Sequence, residues 1–101
     1  MRDYQYSFEK LEVWQLSVDL VQEIYTLTKV FPDEEKYDLV SQMRRAAISV
    51  SSNIAEGSTR LGSKDRARFT QLAYGSRIEL LNQVIIGTRL VTRKVLLVKE
   101  Q

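Results

Sequence analysis

The chain has 101 residues and a formal net charge of +2, and it contains no cysteine and no histidine. A chain of this length forms one hydrophobic core, so residues 1–101 are predicted to be a single domain. The lack of cysteine excludes disulfides and thiolate metal sites, and the lack of histidine removes the commonest metal ligand and general base. With 4 glycines and 1 proline, the composition favours long helices over turn-rich β structure.

The sequence also lacks the features of exported proteins, membrane proteins and common enzymes. Its N-terminus has no signal-peptide core, and no apolar run approaches the roughly 20 residues that span a bilayer. Ser49, Ser51 and Ser52 have no histidine to activate them as nucleophiles. We therefore expect a cytoplasmic, non-catalytic protein with no cofactor, no metal site and no membrane partner.

Charge is divided unevenly along the chain. Residues 1–38 contain 4 Lys/Arg and 9 Asp/Glu, a net charge of −5, whereas residues 39–101 contain 11 and 4, a net charge of +7. Such an asymmetry can mark a polyanionic partner, and it can equally pair acidic with basic helices within a bundle or between subunits. Both interpretations stay open from composition alone.

The first predicted helix runs from about Phe8 to Phe31 and ends because Pro32 disfavours helical geometry in the residue before it. Its apolar residues form two adjacent ladders, the first of which is expected to be the seam of a bundle helix. Trp14 could stack on a ligand, but its place in this ladder favours core packing. The first ladder comprises Leu11, Trp14, Val18, Val21, Tyr25 and Thr28, and the second comprises Val13, Leu16, Leu20, Ile24, Leu27 and Phe31.

The second predicted helix starts just after Pro32, and the other helices are expected to pack around it. Asp33, Glu34 and Glu35 lie in its first turn, where carboxylates meet the positive end of the helix dipole, and this explains them better than a metal site does. Gly57 is predicted to end the helix as a left-handed C-terminal cap. The buried stripe is expected to contain Leu39, Met43, Ala46, Ala47, Val50 and Ile54.

Polar residues gather on another face of the second helix. They could form a catalytic or ligand-binding group. Mutual hydrogen bonding near a buried helix end is the favoured interpretation, because unpaired polar groups are costly there. The members of this structural polar cluster on the second helix are Gln42, Arg45, Ser49, Asn53 and Glu56.

A loop over residues 57–63 leads to a third helix that is predicted to run from about Lys64 to Leu90, with Ser63 as its N-cap. Residues 92–101 either extend this helix or form a short fourth one, since ten residues make fewer than three turns. The expected buried stripe contains Phe69, Leu72, Ala73, Ser76, Leu80, Val84, Gly87 and Val91, and a second apolar ladder contains Tyr74, Ile78, Leu81 and Ile85.

Basic residues concentrate around this loop and along the third helix. Free amides at a helix N-terminus favour anions, so the loop is the best local candidate for a phosphate contact. A solvated loop whose charges serve solubility explains it equally well. The residues predicted to contact nucleic-acid phosphates are Arg60, Lys64, Arg66, Arg68, Arg89, Arg93 and Lys94.

Four segments carry a family resemblance. The most distinctive is Ser-Val-Ser-Ser-Asn-Ile-Ala-Glu-Gly at residues 49–57, and the others are residues 8–15, 31–37 and 75–79. These segments resemble the four-helix-bundle proteins encoded in intervening sequences of bacterial 23S ribosomal RNA genes (the S23-like family). That family is similar to the accessory variability protein of diversity-generating retroelements.

The resemblance implies an all-α fold, an antiparallel up-down helical bundle, here with three long helices and a shortened or absent fourth. It also implies a homo-oligomer with five members and a link to RNA or DNA. It further implies that Glu79 faces the second helix, where it would pair with Arg45 or Asn53 and join the structural polar cluster.

The leading hypothesis is a non-catalytic, oligomeric nucleic-acid-binding protein that contacts phosphates without reading bases. Double apolar ladders leave more surface than a small domain can bury, so a homo-oligomer is expected. Symmetry would then repeat one modest basic surface several times. The alternative is a protein–protein scaffold that uses exposed apolar helix faces and whose contacts persist at high salt.

Overall fold

The computed structural model describes residues 5–100, without the side chains of residues 35–37. Residues 1–4 and 101 lie outside it. No residue in the described part of the chain belongs to a β-strand, which confirms the predicted all-α class. Three long helices dominate: α1 (Glu12–Thr28), α2 (Ser41–Ser58) and α3 (Ser63–Glu100). None of the described helices has both the length and the apolar content that crossing a membrane requires.

Short helical segments precede α1 and α2. A 3-10 turn spans Ser7–Lys10, and Leu11 has extended backbone (φ −73°, ψ 126°) that separates this turn from α1. A helical turn at Asp33–Glu35 continues into a π-helical segment at Lys36–Val40, which joins α2 directly. The helical start just after Pro32 is therefore as predicted, and the π-helical segment is a feature that the apolar spacing did not indicate.

α1 is shorter than predicted at both ends. It starts at Glu12 rather than near Phe8, and it ends at Thr28, ahead of Pro32. The Phe31 amide donates a hydrogen bond to the Thr28 carbonyl oxygen at 3.2 Å, which turns the chain before the proline is reached.

The buried residues of α1 come from the adjoining edges of its two apolar ladders, Thr28 from the first and Ile24 from the second, with Ser17 between them. Ser17, Ile24 and Thr28 are buried, whereas Leu11 and Tyr25 of the first ladder are exposed. The first ladder is therefore only part of the seam: Thr28 is buried and Val21 packs against the core, while the second ladder contributes Ile24. The two buried hydroxyls bond backbone carbonyls of their own helix, Ser17 to Trp14 at 2.6 Å and Thr28 to Ile24 at 2.7 Å.

α2 lies between the other two helices, and α1 and α3 each pack mainly on it rather than on each other. Its predicted stripe is confirmed at Met43, Ala46, Ala47 and Val50, which are all buried. Leu39 and Ile54, at the ends of the stripe, are half-buried. The core that results draws on all three helices and consists of Ile24, Phe31, Val40, Met43, Ala46, Ala47 and Leu80.

Gly57 has a different role from the predicted one. It is buried inside α2, which continues to Ser58, and no glycine in the described residues has a positive φ. A Cβ atom at position 57 would lie 2.8 Å from Cβ of Phe69 in α3. The glycine is therefore required by the close approach of two helices rather than by a left-handed cap.

α3 runs without interruption for 38 residues to Glu100, so residues 92–100 extend the third helix and the described residues contain no fourth. Its stripe is confirmed at Phe69, Ala73, Leu80 and Gly87, which are buried. Leu72, which was expected in this stripe, is instead 43% exposed. The ring of Phe31 packs on Gly87, where an added Cβ would meet it at 2.7 Å.

Candidate nucleic-acid interface and an open apolar groove

Four of the predicted phosphate contacts share one face of α3. Lys64, Arg68, Arg89 and Arg93 are exposed, and the structure gives none of them an ion pair within residues 5–100. Successive members are 4, 21 and 4 residues apart, which keeps all four on one side of a helix that turns every 3.6 residues. Lys64 and Arg68 form one basic pair, and Arg89 and Arg93 form another. The nearest members of the two pairs, Arg68 and Arg89, lie about 32 Å apart along the helix.

The loop arginines are held by neighbouring groups. Arg66 donates from Nη1 to the carbonyl oxygens of Arg60 and Leu61 at 3.3 and 3.4 Å. The Arg60 guanidinium lies 4.7 Å from the centre of the Phe69 ring, and its Nε is 3.9 Å from a carboxylate oxygen of Asp65. Both arginines are exposed, but Arg66 already donates to the loop backbone and Arg60 already contacts Phe69 and Asp65.

The helix start differs from the predicted one. Ser63 is the first residue of α3, and the Arg66 amide bonds the Gly62 carbonyl at 3.0 Å, so Gly62 occupies the cap position. Lys94, the last predicted contact, forms an ion pair with Glu34. It therefore ties α3 to the segment ahead of α2.

Two basic residues of α3 were missed by the sequence reasoning. Arg77 is exposed beside the Tyr74 ring, 5.2 Å from its centre, and Lys99 lies in the last turn of the helix. With them, α3 carries 8 Lys/Arg against 3 Asp/Glu, a net charge of +5. Counting charge over the whole of residues 63–100 would have found both.

The structural polar cluster does not form one connected network in the described residues. Gln42 bonds Asp38 at 2.7 Å, and Asn53 donates to the Ser49 carbonyl at 2.9 Å. Arg45 and Glu56 are exposed. Each of these hydrogen bonds is an i, i+4 contact along the chain, and none crosses between helices.

The expected pairing of Glu79 with Arg45 or Asn53 is also absent from the described contacts. Glu79 instead accepts a hydrogen bond from Gln83 Nε2 at 3.2 Å. Gln83 is 5% exposed, and its Oε1 has no hydrogen-bond partner within the described residues. In those same residues, no group of three or more acidic side chains is arranged to hold a metal ion.

A polar contact that the sequence did not indicate joins α1 to α2. Arg44 donates from Nε to the Thr28 hydroxyl at 3.0 Å, and its guanidinium lies 4.4 Å from the centre of the Tyr25 ring. Thr28 has no exposed surface. Arg44 thus fixes the end of α1 against α2.

An apolar groove lies between α1 and α3, with residues of α2 at its base. We call it the α1–α3 groove; its volume is about 610 Å³. Val13, Leu16 and Tyr74, which belong to the second ladders of α1 and α3, line it and are 54%, 59% and 57% exposed. Its other lining residues are Leu11, Ser17, Leu20, Val50, Asn53, Ile54, Gly57, Ser58, Arg66, Thr70, Ala73 and Arg77.

The comparison with protein families agrees with this fold. The family model for the 23S rRNA-intervening sequence protein matches residues 9–94, which include all of α1 and α2 and most of α3. A search of curated proteins found no match. The match covers most of the chain. It contains three of the segments that carried the resemblance in full, and all of the fourth, residues 8–15, except Phe8. The chain therefore belongs to the 23S rRNA-intervening sequence protein family.

Proposed function

We propose that this protein is a non-catalytic, homo-oligomeric nucleic-acid-binding protein that contacts the phosphate backbone of RNA or of an RNA–DNA intermediate. The observation that carries the proposal is the alignment of Lys64, Arg68, Arg89 and Arg93 on one exposed face of α3. The five-membered ring remains an expectation from the family resemblance.

The chemistry required is simple. Each Lys or Arg that neutralises a phosphate releases counterions that were condensed on the nucleic acid. The affinity therefore comes from the entropy of the released ions and not from base contacts. A single copy offers few such contacts, but an assembly that displays several copies of the same face acts at high effective concentration. A rigid helix suits this role because it holds its charges at fixed separations.

The second candidate is a protein–protein scaffold, and the α1–α3 groove is the observation that favours it. Exposed apolar side chains that cluster in one groove, as Val13, Leu16 and Tyr74 do, commonly mark an interaction site. An apolar contact would persist as salt is raised, whereas phosphate binding would weaken steeply.

The experiment is a titration of the protein against fluorescent structured RNA, single-stranded DNA and duplex DNA, each from low to physiological salt. We expect the basic-face variant Lys64→Gln/Arg68→Gln/Arg89→Gln/Arg93→Gln to bind at least about tenfold more weakly than the wild type. The negative slope of log affinity against log salt concentration should become shallower by about 3 for this variant.

A matched control loses the same charge elsewhere. Lys10→Gln/Lys29→Gln/Arg45→Gln/Lys99→Gln removes four exposed positive charges that lie off this face. Equal losses in the two variants would show that net charge, not the aligned face, governs binding. Absence of wild-type binding even at low salt would refute the proposed function and favour the scaffold.

A further inference from the structure

We propose that the α1–α3 groove is filled by helix α1 of a second copy of this chain. The inference rests on the self-association in the proposed function and names the two surfaces that make it. One surface is the groove itself, which is apolar and carries positive charge. The other is the acidic side of α1, which lies outside the groove of its own chain.

The charge of the groove comes from its α3 wall. Among the described residues that line it, Arg66 and Arg77 alone are charged. They are 11 residues apart, which places them on one side of α3 and about 16 Å from each other along the helix axis. Within residues 5–100, neither forms an ion pair. A matching occupant therefore has an apolar surface and negative charges at a similar separation.

Contacts within the chain hold both guanidinium groups at the groove. Arg77 lies 5.2 Å from the centre of the Tyr74 ring. Arg66 donates from Nη1 to the carbonyl oxygens of Arg60 and Leu61. None of these contacts supplies a negative charge, so both positive charges can still pair with carboxylates of another chain.

The net charges of the three long helices identify which of them fits. α1 contains Glu12, Asp19 and Glu23 and no Lys or Arg, a net charge of −3. α2 has a net charge of +1, from 2 Arg and 1 Glu, and α3 has a net charge of +5. A second α3 in the groove would set like charges beside the two groove arginines, which is unfavourable. The complementary helix of a second copy is therefore α1.

The carboxylates of α1 repeat the spacing of the groove arginines. Glu12 and Glu23 are also 11 residues apart, so they lie on one side of α1 and about 16 Å from each other. Both are exposed, and neither has an ion pair in the described part of the chain. Because the two spacings are equal, both carboxylates can meet an arginine in a single docked position.

Apolar side chains adjoin these carboxylates on α1. At 100° per residue, Leu16 lies within about 40° of both Glu12 and Glu23 around the helix, and Leu27 lies within about 60° of both. The two leucines are 59% and 39% exposed. An α1 that docks with this side inward brings leucines to the apolar part of the groove and carboxylates to its arginines.

The interface leaves the basic face of α3 open. Arg68 lies nine residues before Arg77, which places it on the opposite side of the helix. Lys64, Arg68, Arg89 and Arg93 all lie outside the groove. Arg66, which the sequence assigned to phosphate binding, instead belongs to the contact between copies.

Reversing the charges and then exchanging them tests the contact, by sedimentation equilibrium without nucleic acid. Arg66→Glu/Arg77→Glu and Glu12→Arg/Glu23→Arg should each raise the dissociation constant of the assembly at least about tenfold, because like charges then face each other. The second of these variants leaves the loop contacts of Arg66 intact. The variant with all four substitutions keeps the wild-type net charge and should recover the wild-type dissociation constant to within about threefold.

The matched control is Lys64→Glu/Arg68→Glu, which makes the same charge change at exposed positions of the same helix outside the groove. It should self-associate like the wild type. All substituted positions are exposed, so circular dichroism should show the helical content of the wild type in every variant. Unchanged association in either groove or α1 variant, or no recovery in the exchanged one, would overturn the inference. A wild type that is a single chain at every concentration would do the same.

The two proposals fail in different ways. If charge reversal leaves association unchanged but the wild type binds RNA with a steep salt slope, the proposed nucleic-acid function stands and this interface is wrong. If the exchanged variant recovers association and no nucleic acid binds, the interface stands and the proposed function is wrong.

Discussion

The two sides of this molecule contain similar apolar residues but differ in how well they are covered. Met43 has no exposed surface where the three helices meet, and Gly87 allows the ring of Phe31 to approach α3 closely. In the α1–α3 groove, Leu16 and Tyr74 are more than half exposed. The difference teaches that the chain completes only one side of its own core. We propose that the other side is an interface between copies of the chain.

The largest expected effect comes from emptying the closed side. Met43→Ala should lower the free energy of unfolding by about 2–5 kcal/mol, because it removes a fully buried side chain and leaves a cavity. Leu16→Ala, the matched change on the open side, should cost less than about 1 kcal/mol in a dilute, unassembled sample. Urea denaturation of both variants measures the contrast, and similar losses would mean that the open side is covered within one chain.

A smaller effect is expected from filling the space between α2 and α3. Gly57→Ala should destabilise the protein by about 1–3 kcal/mol, since the new Cβ would lie 2.8 Å from the Phe69 Cβ and the two helices must separate. Gly75→Ala is the control: no atom lies within 4 Å of its added Cβ. That variant should gain about 0.5–1 kcal/mol from helix propensity. Thermal melts followed by circular dichroism should show a lower melting temperature for Gly57→Ala and a higher one for Gly75→Ala. A higher melting temperature in both variants would refute the close contact.

The smallest effect concerns Gln83, whose side-chain amide is buried in α3. Gln83→Met should raise the free energy of unfolding by about 1 kcal/mol, because it removes a buried oxygen that lacks a partner in the described residues and keeps the side-chain volume. Gln71→Met, at an exposed position of the same helix, should be close to neutral. A clear loss of stability in the buried variant alone would indicate that Gln83 has a partner in the assembly.

The parts of the fold that depend on periodicity were predictable from the sequence. The buried stripe of α2 follows the 3.6-residue repeat, and Met43, Ala47 and Val50 lie where that repeat predicts. The helical continuation to Glu100 was one of two expectations, and the absence of glycine and proline after Gly87 agrees with it.

The parts that depend on which helix lies opposite could not be predicted in the same way. Gly57 looked like a cap because spacing does not show that Phe69 packs against it. The seam of α1 was assigned to the first ladder, whereas its buried residues come from both, Thr28 from the first and Ile24 from the second.

The candidate site followed the same division. The alignment of Lys64, Arg68, Arg89 and Arg93 could be derived from helix geometry alone. The ion pair of Lys94 and the loop contacts of Arg66 depend on tertiary structure and could not. The pairing expected for Glu79 came from family resemblance; among the described contacts, Glu79 instead accepts a hydrogen bond from Gln83.

The account depends most on the claim that another copy covers the open side, and the mass of the protein in solution tests it directly. Sedimentation equilibrium should give the wild type a whole-number multiple, greater than one, of the 11.7 kDa chain mass. Leu16→Glu, in the α1–α3 groove, should reduce the mass to that of a single chain, and Leu61→Glu, in the exposed loop, should match the wild type. A wild type that stays at 11.7 kDa at every concentration, or a Leu16→Glu assembly of unchanged mass, would contradict the account.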